Sequence, residues 1–305
     1  MRDMHREITD KILAQLKTGV APWRKPWSER VQAHGSVMPR NAVTGRFYSG
    51  ANVLLLWGVA QTEGYGNPRW LTFKQAKAAG GTVRSGEHGV AVIFVKRLLV
   101  KDEKNPDPKA KKTIGFLRAY TVFNVAQCDG LPDSVLGIGE ARQHAPVNPD
   151  GRDADLDAFI AATEIKVTEG GTVAAYAPAI DAIRMPPFEA FKGAHPFYST
   201  LFHEMGHATG HKSRLDRQLK GKFGDREYAA EELIAELTSA FTCAEWGIDM
   251  GEAPAAYIDH WVSLLEEKET AIVTAAAAAS RAVEWMRGKV SAEEADEEEG
   301  VLEAA

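Results

Sequence analysis

The stretch STLFHEMGHATGHKSRL, residues 199–215, constrains the fold of this chain more than any other segment. It places histidines at positions 203, 207 and 211, with Glu204 directly after the first. Helical residues four apart lie on one face about 6 Å apart along the axis, so His203 and His207 can bind one metal ion. The pattern therefore predicts a helical HExxH site, in which Glu204 is the general base that removes a proton from a metal-bound water.

Three residues compete as the third metal ligand. The helix is predicted to stop at Gly210, which leaves His211 beyond its end. The longer metzincin pattern requires a histidine where this chain has Ser213, so that pattern does not apply. Downstream, DREYAAEELIAELTSAFTCAEWG has the apolar periodicity of a second helix and carries Glu231, Glu232 and Glu236. From the residues alone, His211, Glu231 and Glu232 all remain open.

The charge of the chain is divided between its halves. Residues 1–130 contain 21 Lys and Arg against 10 Asp and Glu, a net charge of +11, whereas residues 131–305 contain 15 against 32, a net charge of −17. This division favours a polyanionic partner for the first half. No apolar run approaches the roughly 20 residues that cross a bilayer, so we expect a cytoplasmic protein with no membrane partner. The two cysteines lie far apart, which argues against a disulfide framework or a cysteine zinc site.

Aromatic and basic residues alternate near the N-terminus. A first helix, ITDKILAQLKTG, is followed by APWRKPW, whose prolines predict a stiff, extended stretch. Exposed rings can stack on unpaired bases while cations contact phosphates, although either tryptophan could instead anchor the loop in the core. The candidate contacts to single-stranded DNA are Trp23, Arg24, Lys25, Trp27, Arg46, Tyr48, Lys74, Lys77 and Arg84.

Strand patterns occur in both halves. GVAVIFVKRLLV and TIGFLRAYTVFNV predict a hairpin with a long loop at residues 101–112, and GTVAAYAPAIDAIRMPP predicts paired strands before the HExxH helix. An edge strand there could align an extended peptide by main-chain hydrogen bonds. The segment WVSLLEEKETAIVTAAAAASRAVEWMRGK predicts one or two closing helices.

Several segments together resemble one known family. APWRKPW, PRNAVTGRFYSGANVLLLW, PRWLTFKQAKAAGGTVRSGEHG and YTVFNVAQCDGL resemble, in this order, the N-terminal domain of the ArdC family of plasmid antirestriction proteins. The resemblance covers almost all of residues 5–131 and, with the second half, extends to residue 250 or so. It implies an α+β protein of two domains, an N-terminal α+β single-stranded-DNA-binding domain and a C-terminal zincin-like metallopeptidase domain of the gluzincin type. Such proteins are encoded on mobile elements and help incoming DNA to escape restriction.

The domain bounds follow from composition and from this resemblance. We expect the DNA-binding domain at residues 1–130, a linker rich in Pro, Gly and Asp at 131–152, the metallopeptidase domain at 153–289 and an acidic, disordered tail at 290–305.

The resemblance also implies roles for the glutamates. In gluzincin-like proteins the third ligand lies on a returning helix, and an acidic residue one turn later orients a ligand histidine. This assigns Glu232 as the ligand and Glu236 as the orienting residue, with Glu231 and His211 as the alternatives. We expect one divalent metal ion, zinc or else manganese.

The expected partners are single-stranded DNA and a protein substrate such as a host restriction factor, and the sequence does not indicate an oligomeric state. The protein would act in the cytoplasm, including that of a recipient cell that it enters with conjugating DNA. Two other functions are compatible with the sequence: a non-proteolytic DNA shield with a structural metal site, and a protease for DNA–protein crosslinks.

Overall fold

The computed structural model is a two-domain α+β protein, and it describes residues 2–19, 21–24, 36–101, 111–141, 144–217, 226–251, 255–268 and 270–288. The helices in these ranges are α1 Arg2–Leu16, α2 Ala51–Thr62, α3 Phe73–Ala78, α4 Asp133–Leu136, α5 Ala154–Ala162, α6 Ala194–Thr209, α7 Arg226–Trp246, α8 Ala255–Glu267 and α9 Ala271–Met286. The strands are β1 Arg40–Asn41, β2 Arg69–Thr72, β3 Thr82–Val83, β4 Val90–Lys101, β5 Lys111–Asn124, β6 Cys128–Asp129, β7 Lys166–Glu169, β8 Ala175–Ala177 and β9 Ala182–Met185.

The N-terminal sheet has the strand order β1-β2-β5-β4. Strands β4 and β5 pair antiparallel along their whole length, from Val90 opposite Val122 to Lys101 opposite Lys111, which confirms the predicted hairpin. Helix α2 is tied to β4 because the side-chain amide of Asn52 exchanges two hydrogen bonds with the backbone of Ile93, at 2.7 and 2.8 Å. This sheet forms one wall of the N-terminal half.

The C-terminal half places a small sheet beside a pair of packed helices. The sheet order is β7-β9-β8, so β8 is an edge strand, and its antiparallel pairing with β9 confirms the predicted strands. Helices α6 and α7 approach closely at Gly206, where an added Cβ would lie only 2.8 Å from the Ala235 Cα. Helix α6 ends at Gly210 as predicted. The close crossing of α6 and α7 positions the candidate site.

One hydrophobic core runs through both halves. The ring of Trp23 packs edge-on against Trp261 with centroids 5.3 Å apart, and Trp57 packs in the same way against Phe241 at 5.7 Å. The backbone joins the halves as well, since the Val37 N–H donates to the carbonyl of Ala244, which lies in α7, at 3.0 Å. The N-terminal half therefore packs directly on the helices of the C-terminal half.

The structure differs from the sequence prediction around Trp23. The predicted extended stretch begins instead with a 3₁₀ turn, Pro22–Arg24, because Trp23 turns inward and is only 1% exposed. The predicted closing segment forms two helices, α8 and α9. Lys25, Trp27 and the acidic tail lie outside the described residues. In the part of the chain that the structure describes, no helix has both the length and the apolar character that crossing a membrane requires.

Candidate metal centre

Helix α6 carries the two histidines on successive turns. The rings of His203 and His207 lie nearly perpendicular to each other with centroids 4.9 Å apart. The opposite side of the helix is fully buried through residues such as Phe202 and Met205, so the helix is fixed in rotation. The i, i+4 spacing thus turns both imidazoles toward α7, as the sequence predicts.

Glu232 of α7 completes a three-residue group with these histidines. Its Oε2 lies 3.4 Å from His203 Nε2, and its Oε1 lies 3.3 Å from His207 Nε2. One ligand atom from each of the three residues falls within 4.8 Å of the others. A tetrahedral ion with ligand bonds of about 2.0–2.1 Å separates its ligand atoms by about 3.3 Å, so the spacing fits one metal ion.

The carboxylate of Glu232 also has an unmet bonding requirement. Glu232 is buried, and its Oε2 has no hydrogen-bond partner among the described residues. A buried carboxylate oxygen is costly unless a donor or a cation satisfies it. The residues present therefore fit a divalent cation held between the two imidazoles and Glu232.

Each histidine is backed by a second carboxylate on its Nδ1 side. Glu236 Oε2 lies 3.8 Å from His203 Nδ1, and Glu231 Oε1 lies 3.6 Å from His207 Nδ1. Carboxylates in this position fix the orientation of a metal-binding imidazole and raise its basicity. Glu231, an alternative ligand in the sequence analysis, therefore faces the far side of His207 and stands in the same relation to it as Glu236 does to His203.

Two arginines hold these backing carboxylates. Arg217 Nη2 donates to Glu231 Oε1 at 2.7 Å, and its Nε donates to Oε2 at 3.2 Å. Arg24 makes the equivalent bidentate contact with Glu236, and its Nη2 to Oε2 distance is 2.7 Å. Neither role could be predicted from the sequence, because neither arginine belongs to a motif with the histidines.

The electrostatics of the site favour positive charge. Burial alone would lower the pKa of His203, but the negative charges of the neighbouring Glu232 and Glu236 carboxylates raise it to about 10. Burial alone would raise the pKa of Glu236, but the hydrogen bonds from Arg24 and the nearby His203 ring lower it to about 2. The carboxylates thus stay ionised and stabilise a cation between the helices.

Glu204 points from α6 toward the edge strand. Its side chain is largely buried, and Oε2 accepts a hydrogen bond from the backbone N–H of Tyr176, in β8, at 2.7 Å. The candidate general base therefore lies directly beside the strand that could align a peptide.

The third histidine of the opening motif is used elsewhere. His211 Nδ1 lies 2.7 Å from the Ser213 hydroxyl and 3.6 Å from Asp181 Oδ2. Asp181 in turn forms a bidentate pair with Arg214 at 2.7 and 3.0 Å. His211 lies past the end of α6, as predicted, and is not part of the three-residue group.

The predicted DNA contacts separate into inward and outward residues. Trp23 and Arg24 are turned toward the candidate metal centre, where Trp23 Nε1 donates to Glu236 Oε1 at 2.9 Å and Arg24 binds the same carboxylate, so both side chains are engaged inside the protein rather than held outward as expected. Tyr48 is also buried, although it lines a surface cleft.

The side chains of the other described candidates, Arg46, Lys74, Lys77 and Arg84, are exposed. Arg84 is already engaged, since it bonds to Glu87, Asp129 and the Ala126 carbonyl.

The cleft beside Tyr48 is a second candidate site. It is an open cleft lined by Phe47, Phe94 and Tyr120, together with the exposed Arg46. The ring of Phe94 packs edge-on against Tyr120 at 5.5 Å and lies 6.4 Å from Tyr48. Arg46 and Tyr48 are among the DNA contacts predicted from the sequence, whereas Phe94 and Tyr120 on the hairpin strands are not.

Comparison with known proteins gives a consistent result along the chain. Residues 2–123 match the family described as the N-terminal domain of anti-restriction factor ArdC, and residues 154–278 match a zincin-like metallopeptidase family. The uncharacterised protein y4eC of Sinorhizobium fredii is 35% identical over 308 residues, covering 98% of this chain and 96% of that protein. The DNA primase TraC of Escherichia coli is 36% identical over 304 residues, which are 92% of this chain but only 26% of TraC.

Solved structures are similar over nearly the whole chain. The metal-free crystal structure of the antirestriction protein ArdC from plasmid R388 has a TM-score of 0.75 at 37% identity and covers 94% of this chain and 97% of that one. Its Mn(II)-bound structure has a TM-score of 0.74 at 36% identity and covers 93% and 97%.

Proposed function

This chain belongs to the ArdC family of plasmid antirestriction proteins, and we propose that it binds single-stranded DNA and hydrolyses peptide bonds at a centre of one divalent metal ion. His203, His207 and Glu232 would hold the ion, and Glu204 would be the general base. The observation that carries the proposal is the buried Glu232 carboxylate, whose two oxygens lie 3.4 Å from His203 Nε2 and 3.3 Å from His207 Nε2.

The chain's own residues divide the catalytic work. When bound, the ion supplies a water of lowered pKa and polarises a carbonyl. Glu204 accepts the proton of the attacking water and transfers it to the leaving amine nitrogen. Strand β8, at the sheet edge, binds an extended peptide through its main-chain groups. Glu231 and Glu236 keep the two imidazoles in the orientation that ligation requires.

The donor set supports zinc, and manganese is the alternative. Two imidazole nitrogens and one carboxylate are the ligands of several catalytic zinc sites. The same nitrogen and oxygen donors also suit manganese, and the R388 neighbour is described with Mn(II). Zinc binds such donors more tightly than manganese in general, so the metal content of the protein isolated from its host, rather than relative affinity, decides between them.

For DNA we propose the cleft lined by Phe47, Tyr48, Phe94 and Tyr120, with Arg46 at its edge, as the place where a base stacks. The half-buried rings of Phe47, Phe94 and Tyr120 offer stacking faces, and the exposed Arg46, Lys74 and Lys77 are the candidate phosphate contacts. Substitution of Tyr120→Ala should cost about 1–3 kcal/mol of DNA affinity, the usual contribution of one stacked base.

The phosphate contacts have a separate signature. Removing one phosphate contact with a single strand reduces the slope of log K against log salt by about 0.7. Arg46→Gln should lower that slope, whereas Arg6→Gln, an exposed arginine on α1 away from the cleft, should leave it unchanged. A DNA affinity that does not vary with salt, or equal effects of both variants, would contradict the proposed surface.

The biological role is tested by Glu204→Gln in a restriction-protection conjugation assay. This variant keeps the three metal-binding groups and removes the base, so single-stranded DNA affinity and metal content should match wild type. We expect protection to fall, with a host restriction factor as the protein substrate. Full protection by Glu204→Gln would instead favour shielding by DNA binding alone, with a structural metal ion.

A further inference from the structure

Two residues of the N-terminal half lie against the metal centre. Trp23 and Arg24 belong to the 3₁₀ turn Pro22–Arg24, more than 200 positions before Glu236 in the chain. Trp23 Nε1 donates to Glu236 Oε1 at 2.9 Å. Arg24 Nη2 donates to Glu236 Oε2 at 2.7 Å, and its Nε donates to Oε1. Three hydrogen bonds from the N-terminal half therefore converge on one carboxylate.

These contacts take place in a buried setting. The side chain of Glu236 is 2% exposed and that of Arg24 is 17% exposed. Trp23 is held in turn by its edge-on contact with Trp261, and Arg24 Nη1 reaches the Met250 carbonyl at 3.3 Å. A buried, bidentate and further anchored pair has little freedom to reorient, so the plane of the Glu236 carboxylate is fixed from the N-terminal side.

The fixed carboxylate faces a metal-binding histidine. Glu236 Oε2 lies 3.8 Å from His203 Nδ1, on the side of the ring opposite Glu232. A group in this position sets the tautomer and the direction of the imidazole, and its loss usually weakens metal affinity about 10- to 100-fold. Residues that hold the carboxylate therefore act on the metal ion through it.

The other histidine provides an internal comparison. His207 is backed by Glu231, and Glu231 is held by Arg217 at 2.7 Å. We call His207, Glu231 and Arg217 the His207 arm, and all three belong to the C-terminal half. The equivalent His203 arm runs from His203 through Glu236 to Arg24 and Trp23. The two arms have the same chemistry, and only one of them crosses from the N-terminal half.

We propose that Trp23 and Arg24 are positioning residues of the metal centre, acting through Glu236 on His203. The inference deepens the proposed function and rests on it, because it requires that His203 bind a metal ion. It follows that residues 154–278, the part that matches the metallopeptidase family, retain His203 and Glu236 but lack the two residues that hold Glu236 when separated from the N-terminal half.

The test measures metal affinity rather than activity. Full-length, metal-free protein is titrated calorimetrically with Zn²⁺, and the visible spectrum of the Co²⁺-loaded protein reports ligand geometry. Arg24→Gln removes the charge and the bidentate contact, while Trp23→Phe keeps an aromatic ring and removes the indole N–H. We expect the dissociation constant to rise about 10- to 100-fold for Arg24→Gln and by a smaller factor for Trp23→Phe, with an altered Co²⁺ spectrum in both.

Two controls separate positioning from general damage. Arg6→Gln changes an arginine that is 64% exposed on α1 and should leave the Zn²⁺ affinity unchanged. Adding Arg24→Gln to Glu236→Gln should cause no further loss, since a residue that acts through Glu236 has no effect once that carboxylate is gone. If Arg24→Gln fails to fold, Trp23→Phe and the Co²⁺ spectrum decide the question.

The outcomes also separate this inference from the proposed function. Failure of the wild type to bind Zn²⁺, Mn²⁺ or Co²⁺ would overturn the metal centre itself. A second outcome would overturn only the positioning role. In it, the wild type binds metal normally, and folded Arg24→Gln and Trp23→Phe show unchanged metal affinity and an unchanged Co²⁺ spectrum. Additive losses in the double variant would likewise show that Arg24 does not act through Glu236.

Discussion

The close crossing of α6 and α7 at Gly206 predicts a large effect from one added methyl group. A Cβ at position 206 would lie 2.8 Å from the Ala235 Cα, 3.1 Å from its carbonyl oxygen and 3.2 Å from its Cβ. Carbon atoms in ordinary contact are about 3.5–4.0 Å apart, so in Gly206→Ala the helices must separate by about 0.7–1 Å. The contacting atoms are mainly backbone, so no side-chain rotation relieves the clash.

The energetic cost has two opposing parts. Overpacking of a tight core costs about 1–3 kcal/mol. Replacing glycine by alanine inside a helix returns about 0.5–1 kcal/mol. The net loss of folding free energy should be about 1–2 kcal/mol, which for a chain of 305 residues corresponds to a fall in Tm of about 1.6 °C per kcal/mol.

The metal affinity of Gly206→Ala should fall as well. Glu232 lies three residues from Ala235 on α7, so it moves away from the histidines when the helices separate, whereas metal sites tolerate about 0.2 Å in ligand distance. We expect at least about a tenfold weaker Zn²⁺ affinity by calorimetric titration.

Gly58→Ala is the matched control for this substitution. It lies inside helix α2 with no atom within 4 Å of an added Cβ, so stability should be unchanged or slightly higher and metal binding normal. If Gly206→Ala unfolds no lower than wild type and binds Zn²⁺ as tightly, the close crossing does not set the geometry of the site.

Three further perturbations test the candidate site and its surroundings. His207→Ala should abolish tight Zn²⁺ binding, whereas His211→Ala should retain it. Equal losses of affinity in the two variants would indicate that His211 is also a metal ligand. Chelation of the metal should lower the Tm, and Zn²⁺ at about 100 times its dissociation constant should restore about 2.7 kcal/mol; a Tm insensitive to both would contradict a metal centre in the folded state. The pKa of Asp181 is lowered, chiefly by the hydrogen bonds from Arg214, so Asp181→Asn should destabilise the protein at pH 6, with the difference from wild type shrinking as pH falls below about 3.9. A difference in Tm that persists unchanged at pH 2.5 would show that this charge is not its source.

Local sequence patterns were sufficient for the elements that carry the metal centre. The four-residue spacing of His203 and His207 and the apolar periodicity around Glu232 each predict a helix, and two such helices pack with their polar groups facing each other. Gly210 ends the first helix as its position in the sequence predicts.

Contacts between distant parts of the chain could not be predicted from local sequence patterns. Trp23 and Arg24 have the composition of a nucleic-acid contact, yet their partner Glu236 lies more than 200 positions away. Local propensity cannot indicate that a tryptophan and an arginine find a buried carboxylate, because tertiary packing decides this. The rings of Phe94 and Tyr120 were missed for a similar reason: they come together only after β4 and β5 pair.

The continuous core has a consequence for how genes of this kind can be rearranged. Recombination that exchanged only one half would separate Trp57 from Phe241 and Trp23 from Trp261, and both halves would expose apolar surface. The viable unit of exchange is therefore the paired halves, moved together as one cassette. The match to TraC is consistent with this expectation. It includes 92% of this chain, so both halves occur together, although the match makes up only 26% of TraC. A substitution at the contact between the halves therefore affects the packing of both halves at once.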